Sequence, residues 1–301
     1  MKLELCGIEK RFGDKEVLRG IHLSVESGCP IGLLGRNGAG KTTTIRIVMD
    51  VFPADGGQVL LDGKPFRRED FRIGYLPEER GLYPKRLILD QLVYLGMLRG
   101  LSGAKARSEA RHWLERMSLS EYAGKKVDTL SKGNQQKIQL AAAMLGDPEI
   151  VILDEPFSGL DPVNAILLKD IVKECIAAGK VVLFSSHQMN YVEEFCQDIA
   201  ILNQGGIVLG TNIATHKRSY DRRHILVDVA EEKSDQALVF LQGRAAHAEL
   251  VQGMLHVHVQ STEDVLPLLS AMVQNGIAVE GYRVFEPSLN DIFVEYTSKA
   301  V

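Results

Sequence analysis

Two apolar rhythms share this chain. Leu3 to Glu9 and Ile21 to Val25 alternate or cluster as strands, Gln58 to Asp62 continues an antiparallel edge, and Pro30 to Leu34 is a continuous apolar run suited to a fully buried strand. From about Leu87 to Leu119 the period lengthens to three and four residues, with Leu92, Leu95, Leu98, Trp113, Leu114 and Met117 on the apolar stripe, so the stretch reads as helical. Trp113 on such a stripe reads as core. The β-branched runs Glu149 to Leu153 and Lys180 to Ser185 flank a helix from Asn164 to Ala178, which makes a βαβ unit and a parallel sheet. Asp198 to Leu202 and Gly206 to Leu209 close this main domain, placed at 1–215.

The remainder, 222–301, has a different order. His224 to Ala230 reads as a strand, Lys233 to Gln242 as a helix, Ala246 to Val251 and Met254 to Val259 as a hairpin, Thr262 to Gln274 as a helix and Ala278 to Glu286 as a strand. That order, β-α-β-β-α-β, is the ferredoxin-like arrangement. A final helix starts near Pro287 and Ser288, where serine supplies a cap, and runs through Ile292, Phe293 and Tyr296. No chemical motif occurs here, so the segment reads as a docking or dimer-stabilising module.

With 301 residues, 45% hydrophobic and 25% charged, the chain has material for one large domain or two. Its longest apolar runs, such as Val181 to Phe184, are far below the roughly 18 residues of a membrane span. Lys2, Glu4, Glu9, Lys10 and Arg11 interrupt any secretion-type leader, so a cytosolic location is expected. A net charge of −4 gives no footprint for nucleic acid, and the pairs Arg67-Arg68 and Arg222-Arg223 read as solvated turns. Cys6, Cys29, Cys175 and Cys196 are too scattered for a CxxC site and are expected as buried or half-buried free thiols.

The densest chemistry follows the buried run. Gly35, Arg36, Asn37, Gly38, Ala39, Gly40, Lys41 and Thr42, with Thr43 after them, stand between that strand and an amphipathic stretch, the context of a phosphate-binding P-loop. Glycines let successive N–H groups turn toward phosphate oxygens, and the start of the next helix adds its positive end. Lys41 would bridge the terminal phosphates and Thr42 would ligate Mg²⁺. A glycine-rich turn with one exposed lysine is the plain alternative.

Asp154 ends an apolar strand, where an ionised carboxylate needs a counter-charge such as Mg²⁺ at the phosphate loop. Glu155 projects differently and would polarise the water that attacks a γ-phosphate, unless the two acids are merely capping residues at the surface. Ser131 and the N–H groups from Gly133 onward open a helix as an anion-binding end that lacks a P-loop lysine. Such an end completes a phosphate site made elsewhere. It is also an ordinary N-cap, and the two roles are compatible.

Leu130-Ser131-Lys132-Gly133-Asn134-Gln135-Gln136 resembles the signature sequence of the ABC ATPase family, and Ile150-Val151-Ile152-Leu153-Asp154-Glu155-Pro156 resembles its Walker B strand and catalytic glutamate. Glu78, after Ile73-Gly74-Tyr75-Leu76-Pro77, stands at the family's Q-loop; Ser158-Gly159-Leu160-Asp161 resembles the D-loop, and Ser186-His187 the switch histidine. The resemblance covers about Lys2 to Thr211. It implies an α/β P-loop NTPase of ABC type, with a mixed-sheet core, an antiparallel β subdomain and a helical subdomain at about 87–146, followed here by the small α+β ferredoxin-like domain. It also implies ATP hydrolysis with Mg²⁺, in which Glu155 and His187 are catalytic and Thr42, Glu78 and Asp154 hold the metal. ATP would lie on Gly35 to Thr43, with Phe12 stacked on adenine where most members carry tyrosine. Ser131, Gly133, Asn134, Gln135 and Asp161 would reach the ATP of a second copy in a head-to-tail dimer. Glu78 departs from the usual glutamine, and a carboxylate cannot donate an amide hydrogen bond.

Pro77-Glu78-Glu79-Arg80-Gly81-Leu82-Tyr83 and the tail Pro287-Ser288-Leu289-Asn290-Asp291-Ile292-Phe293 resemble ATPases of the ABC-2 exporter group, including those related to sodium-extruding and multidrug exporters. The implied partners are a second copy and separately encoded transmembrane permease subunits, with the chain peripheral on the inner face of the membrane. A soluble ABC ATPase of translation or DNA repair is the alternative, but such proteins usually carry tandem cassettes or long coiled coils, and this chain has one P-loop and no long heptad run. Intact Glu155 and His187 argue against a nucleotide sensor without turnover.

Overall fold

The computed structural model describes residues 1–79, 81–251 and 253–298. Arg80 and the end of the expected C-terminal domain, 299–301, lie outside the described residues. In chain order the elements are β1 (Lys2–Phe12), β2 (Lys15–Glu26), β3 (Ile31–Gly35), α1 (Lys41–Val48), β4 (Gly56–Leu61), β5 (Lys64–Pro65), β6 (Ile73–Leu76), α2 (Ile88–Leu98), α3 (Gly103–Arg116) and α4 (Lys132–Met144). There follow β7 (Ile150–Asp154), α5 (Pro162–Ala177), β8 (Val181–Ser185), α6 (Met189–Phe195), β9 (Asp198–Asn203), β10 (Gly206–Asn212) and α7 (Ile213–Arg218). The last are β11 (His224–Val229), α8 (Ser234–Leu241), β12 (His247–Val251), β13 (Met254–His258), α9 (Val265–Gln274), β14 (Val279–Val284) and α10 (Leu289–Ser298).

The chain forms two compact units, Met1–Ile213 joined by the last helix, and Ala214–Ser288. In the first, an antiparallel sheet runs β2-β1-β4-β5, and a six-stranded sheet runs β10-β9-β3-β8-β7-β6. The larger sheet is parallel from β9 to β6 and antiparallel at β10. Every residue of β3, β7 and β8 is buried, as continuous apolar runs require when both faces are covered. Leu5 and Leu23 of the smaller sheet share one core with Leu33, Ile152 and Leu183 of the larger and with Ile45 of α1.

Several elements exceed their sequence expectation. β1 and β2 extend past Leu3–Glu9 and Ile21–Val25 because Arg11 pairs with Glu16 and Phe12 with Lys15 around Gly13, whose φ is 58°. Polar rim residues hide this hairpin from an apolar pattern. β6, beside β7 with Leu76 opposite Leu153, brings Glu78 to the end of the sheet where Asp154 emerges. The helical stretch breaks into α2 and α3 at Gly100, which has φ 86°. Trp113 is half-buried, with the Arg116 guanidinium 5.1 Å from its ring centroid.

The second unit is a sheet in the order β12-β13-β11-β14, antiparallel throughout, which is the ferredoxin-like topology. α8 and α9 cover it through Ala237, Leu241, Leu269 and Met272. The final helix was expected in this domain, but α10 packs on α6, β3 and β9 of the first unit. The Leu289 N–H donates to Glu193 Oε1 at 3.0 Å. An amphipathic stripe demands a surface without naming one.

Cys175 and Cys196 are buried and Cys6 is half-buried, but Cys29 is exposed, contrary to expectation, in the turn between β2 and β3. Burial pushes the Cys196 thiol up to about 12. Among the described residues no helix is long and apolar enough to cross a membrane.

Candidate functional site

β3 delivers the chain to Gly35, where a Cβ would lie 2.7 Å from the Leu202 carbonyl oxygen. Gly40, at φ 114°, caps α1 with no side chain, and its Cβ would meet Leu18 Cδ2 at 2.6 Å. Both positions exclude larger residues. The Thr44 N–H donates to the Gly40 carbonyl at 2.9 Å, so the helical ladder begins there and the amides of Lys41 to Thr43 are left for a ligand. Buried Lys41 donates from Nζ to the Gly35 carbonyl at 2.7 Å. A cleft of about 400 Å³ opens above this loop, walled by Arg36, Asn37, Gly38, Gly40, Lys41, Thr42 and Thr43, with Phe12 and Glu78 in the same wall. Phe12 is 49% exposed and meets Phe52 edge-on at 5.4 Å, which leaves a ring face for an aromatic ligand. Gly35 and Ala39 lie beneath the loop; the Ala39 N–H donates to the Arg36 carbonyl at 3.0 Å.

Asp154 and Glu155 emerge from the end of β7. Glu155 has φ 50°, uncommon for a residue with a side chain, and its N–H donates to the Ser185 carbonyl at 3.1 Å. Ser185 stands opposite Asp154 in the β7–β8 register and donates its hydroxyl to Asp154 Oδ1. One face of the Glu155 carboxylate is fixed: Oε2 takes the His187 N–H at 3.2 Å, the Ser186 hydroxyl at 3.4 Å and lies 2.7 Å from His187 Nδ1. The other oxygen, Oε1, is 3.6 Å from Lys41 Nζ and makes no hydrogen bond. Asp154 Oδ2 is likewise buried and unpartnered, and burial raises the Asp154 carboxyl above its ordinary range.

Two buried carboxylate oxygens without a hydrogen bond cost free energy that a further cation or donor would offset. Glu155 Oε1 lies beside Lys41 Nζ, and the Thr42 side chain is close enough to Asp154 to counter part of the rise that burial causes. These all-oxygen donors fit Mg²⁺, which prefers carboxylate, hydroxyl, water and phosphate oxygen.

Ser131 caps α4, its hydroxyl accepting from the Asn134 N–H at 3.3 Å. Buried Gln135 donates to the Leu130 carbonyl at 2.9 Å. A Cβ on Gly133 would sit 3.2 Å from Asn164 Nδ2 on α5, whose N-cap Asp161 accepts from the Asn164 N–H at 2.9 Å. Ser131, Gly133, Asn134, Gln135 and Asp161 thus gather with one another and do not line the P-loop cleft. Sequence reasoning missed Ser185, whose hydroxyl holds Asp154. Ser185 was legible in principle as the polar end of a buried strand.

The ABC transporter family model matches residues 18–158, and the model of the ATP-binding protein DrrA1-3-like C-terminal domain matches 213–297. The chain is 42% identical over 295 residues to the ABC transporter ATP-binding protein YhaQ of Bacillus subtilis, covering 97% of each. It is 30% identical to the linearmycin resistance ATP-binding protein LnrL of the same organism, over 99% of each. With the Nod factor export ATP-binding protein I of Burkholderia lata it shares 34% over 67% of this chain and 68% of the relative. A solved structure of the ATP binding subunit of an ABC transporter superposes with a TM-score of 0.67 at 28% identity, covering 72% of this chain and 92% of the other. A dimeric bacterial ABC transporter cassette, at TM-score 0.63 and 23% identity, covers 70% and 98% and shares the fold. With its cleft, its acids and a C-terminal module of the DrrA type, the chain belongs to the ABC transporter ATP-binding proteins, as an ATPase subunit of the ABC-2 exporter group.

Proposed function

We propose that two copies of this chain close head to tail over two ATP molecules, the P-loop of each facing the Ser131 end of the other, and that this closure drives export through separate membrane subunits. The supporting observation is that Ser131, Gly133 and Asp161 stand outside the cleft formed by their own P-loop. Phe12 stacks on the base, and the amides of Gly38 and of Gly40 to Thr43 with Lys41 Nζ take the phosphates. Thr42, Asp154 and Glu78 hold Mg²⁺, which when bound neutralises phosphate charge.

In hydrolysis a water oxygen bonds to the γ-phosphorus, the bond from that phosphorus to the β–γ bridging oxygen breaks, and ADP departs with that oxygen. Glu155 Oε1, unpartnered and aimed at Lys41, takes the water proton, while His187 and Ser186 hold Oε2. His187 is 55% exposed at its side chain and stays accessible to the γ-phosphate.

The permease partner docks at a second cleft, of about 480 Å³, lined by Tyr83, Arg86, Asp90, Gln91 and Tyr94 at the start of the helical subdomain. Such docking makes the chain peripheral on the cytoplasmic face, with 214–288 as a dimer-supporting module. Relatives named for linearmycin resistance and Nod factor export favour export over a role in translation or repair. Glu155→Gln should keep nucleotide binding, slow turnover by about 10²–10⁴-fold and trap an ATP-bound dimer in size-exclusion chromatography. A variant that stays monomeric with ATP would remove the head-to-tail reading.

A further inference from the structure

The helix that begins at Ser131 carries two glutamines one turn apart, Gln136 and Gln139, and residues at that spacing share a face. Gln136 Nε2 donates to the carbonyl of Pro156, the residue after Glu155. Gln139, buried in α4, donates from Nε2 to the carbonyl of Glu79, the residue after Glu78, at 3.1 Å. Each amide therefore grips the backbone directly past one acid of the nucleotide cleft. Because a carbonyl only accepts, each bond presents the NH₂ of the amide and fixes its orientation.

The rest of α4 is held as one body. The Arg99 guanidinium donates to the carbonyls of Ala142, Ala143 and Leu145 at its end, and Lys137 Nζ donates to the Met117 carbonyl at 2.9 Å. A helix so clamped transmits a shift at its N-terminus to both glutamines. Apolar contacts alone would let it slide past the loops. A directed hydrogen bond across a half-buried boundary ties position to position.

We propose that Gln136 and Gln139 are positioning residues that gear the Ser131 end of α4, which serves the partner's ATP, to Glu155 and Glu78, which serve the chain's own. Closure over one nucleotide then sets the acids around the other, so that the two sites act together. This rests on the head-to-tail reading above and adds a path within each protomer.

The test uses the full chain with three substitutions. Gln139→Met and Gln136→Met keep the volume and remove the donor; Gln139→Asn keeps the amide but shortens its reach. Three measurements are made on each: affinity for a fluorescent ATP analogue, the Hill coefficient of steady-state hydrolysis, and ATP-dependent dimerisation with Glu155→Gln in the background. Wild-type affinity should persist, the Hill coefficient should fall toward one, and dimerisation should weaken about five- to tenfold. Folded Gln139 variants that keep wild-type cooperativity and dimerisation would overturn the gearing; if Gln139→Met does not fold, Gln139→Asn decides. A wild-type chain that neither dimerises with ATP nor hydrolyses it cooperatively would instead overturn the head-to-tail reading beneath it.

Discussion

Two helix N-termini in this chain face anion chemistry in opposite ways. At α1 the cap is Gly40, which has no side chain, and next to it stand a buried lysine and two buried acids with unpartnered oxygens. At α4 the cap is Ser131, whose hydroxyl accepts from the Asn134 N–H, and Asp161, the cap of α5, lies close by. The first end is left unsatisfied and needs a ligand to complete it. The second is already satisfied by its own serine and carries no buried cation, so it can add contacts to a bound phosphate but has little to hold one alone. A helix dipole is common to both. Surrounding charge and capping, not the dipole, divide binding from covering.

The sharpest way to break this contrast is at the first end. Lys41→Ala removes the buried ammonium that lies 3.6 Å from Glu155 Oε1 and should lower kcat/KM for ATP about a thousandfold, read by phosphate release. Retained activity would mean that the uncapped amides suffice. At the second end, Gly133→Asp places a carboxylate where a phosphate would arrive, beside Asn164. ATP-dependent dimerisation should fall about tenfold or more while ATP affinity of the monomer stays at its wild-type value. Loss of monomer affinity would show that this end belongs to the chain's own cleft.

The smallest expected effect lies away from both ends and serves as their control. On β11, His224 stacks with His258 at 4.0 Å and with Phe285 at 4.2 Å, and its Nε2 is 3.2 Å from His256 Nδ1. Burial, then the neighbouring His258 and His256, lower its pKa from 6.5 to about 4. Between those values the unfolded chain holds the proton that the folded unit refuses, so stability falls as pH drops through 6.5 and levels off below about 4. Thermal melts of the full chain from pH 7 to 4 should show an early transition that moves down with acid, and His224→Phe should flatten that slope.

The P-loop, the signature segment and the Walker B acids were legible because order and spacing in the chain are themselves the geometry. Their environment was not. That Glu155 would sit at positive φ, or that Ser185 would hold Asp154, depends on which strand lies beside β7, and no local pattern states that. The same limit hid the polar half of β2, where Lys15, Glu16 and Arg19 face outward and leave no apolar period. Cys29 looked like its buried counterparts because a single small side chain in a turn carries no periodicity. The ferredoxin-like order could be read from its alternation of strands and helices, but the loyalty of the last helix could not.

That helix changes what the C-terminal module is in engineering terms. Because Leu289–Ser298 completes the ATPase unit after the chain has built 214–288, the module is an insert with two attachment points rather than an appendage. Stopping translation after residue 213 would strip a packed surface from α6 and β9 as well, so a damaged ATPase would tell nothing about the module itself. Only excision of the insert with the closing helix retained separates the two questions.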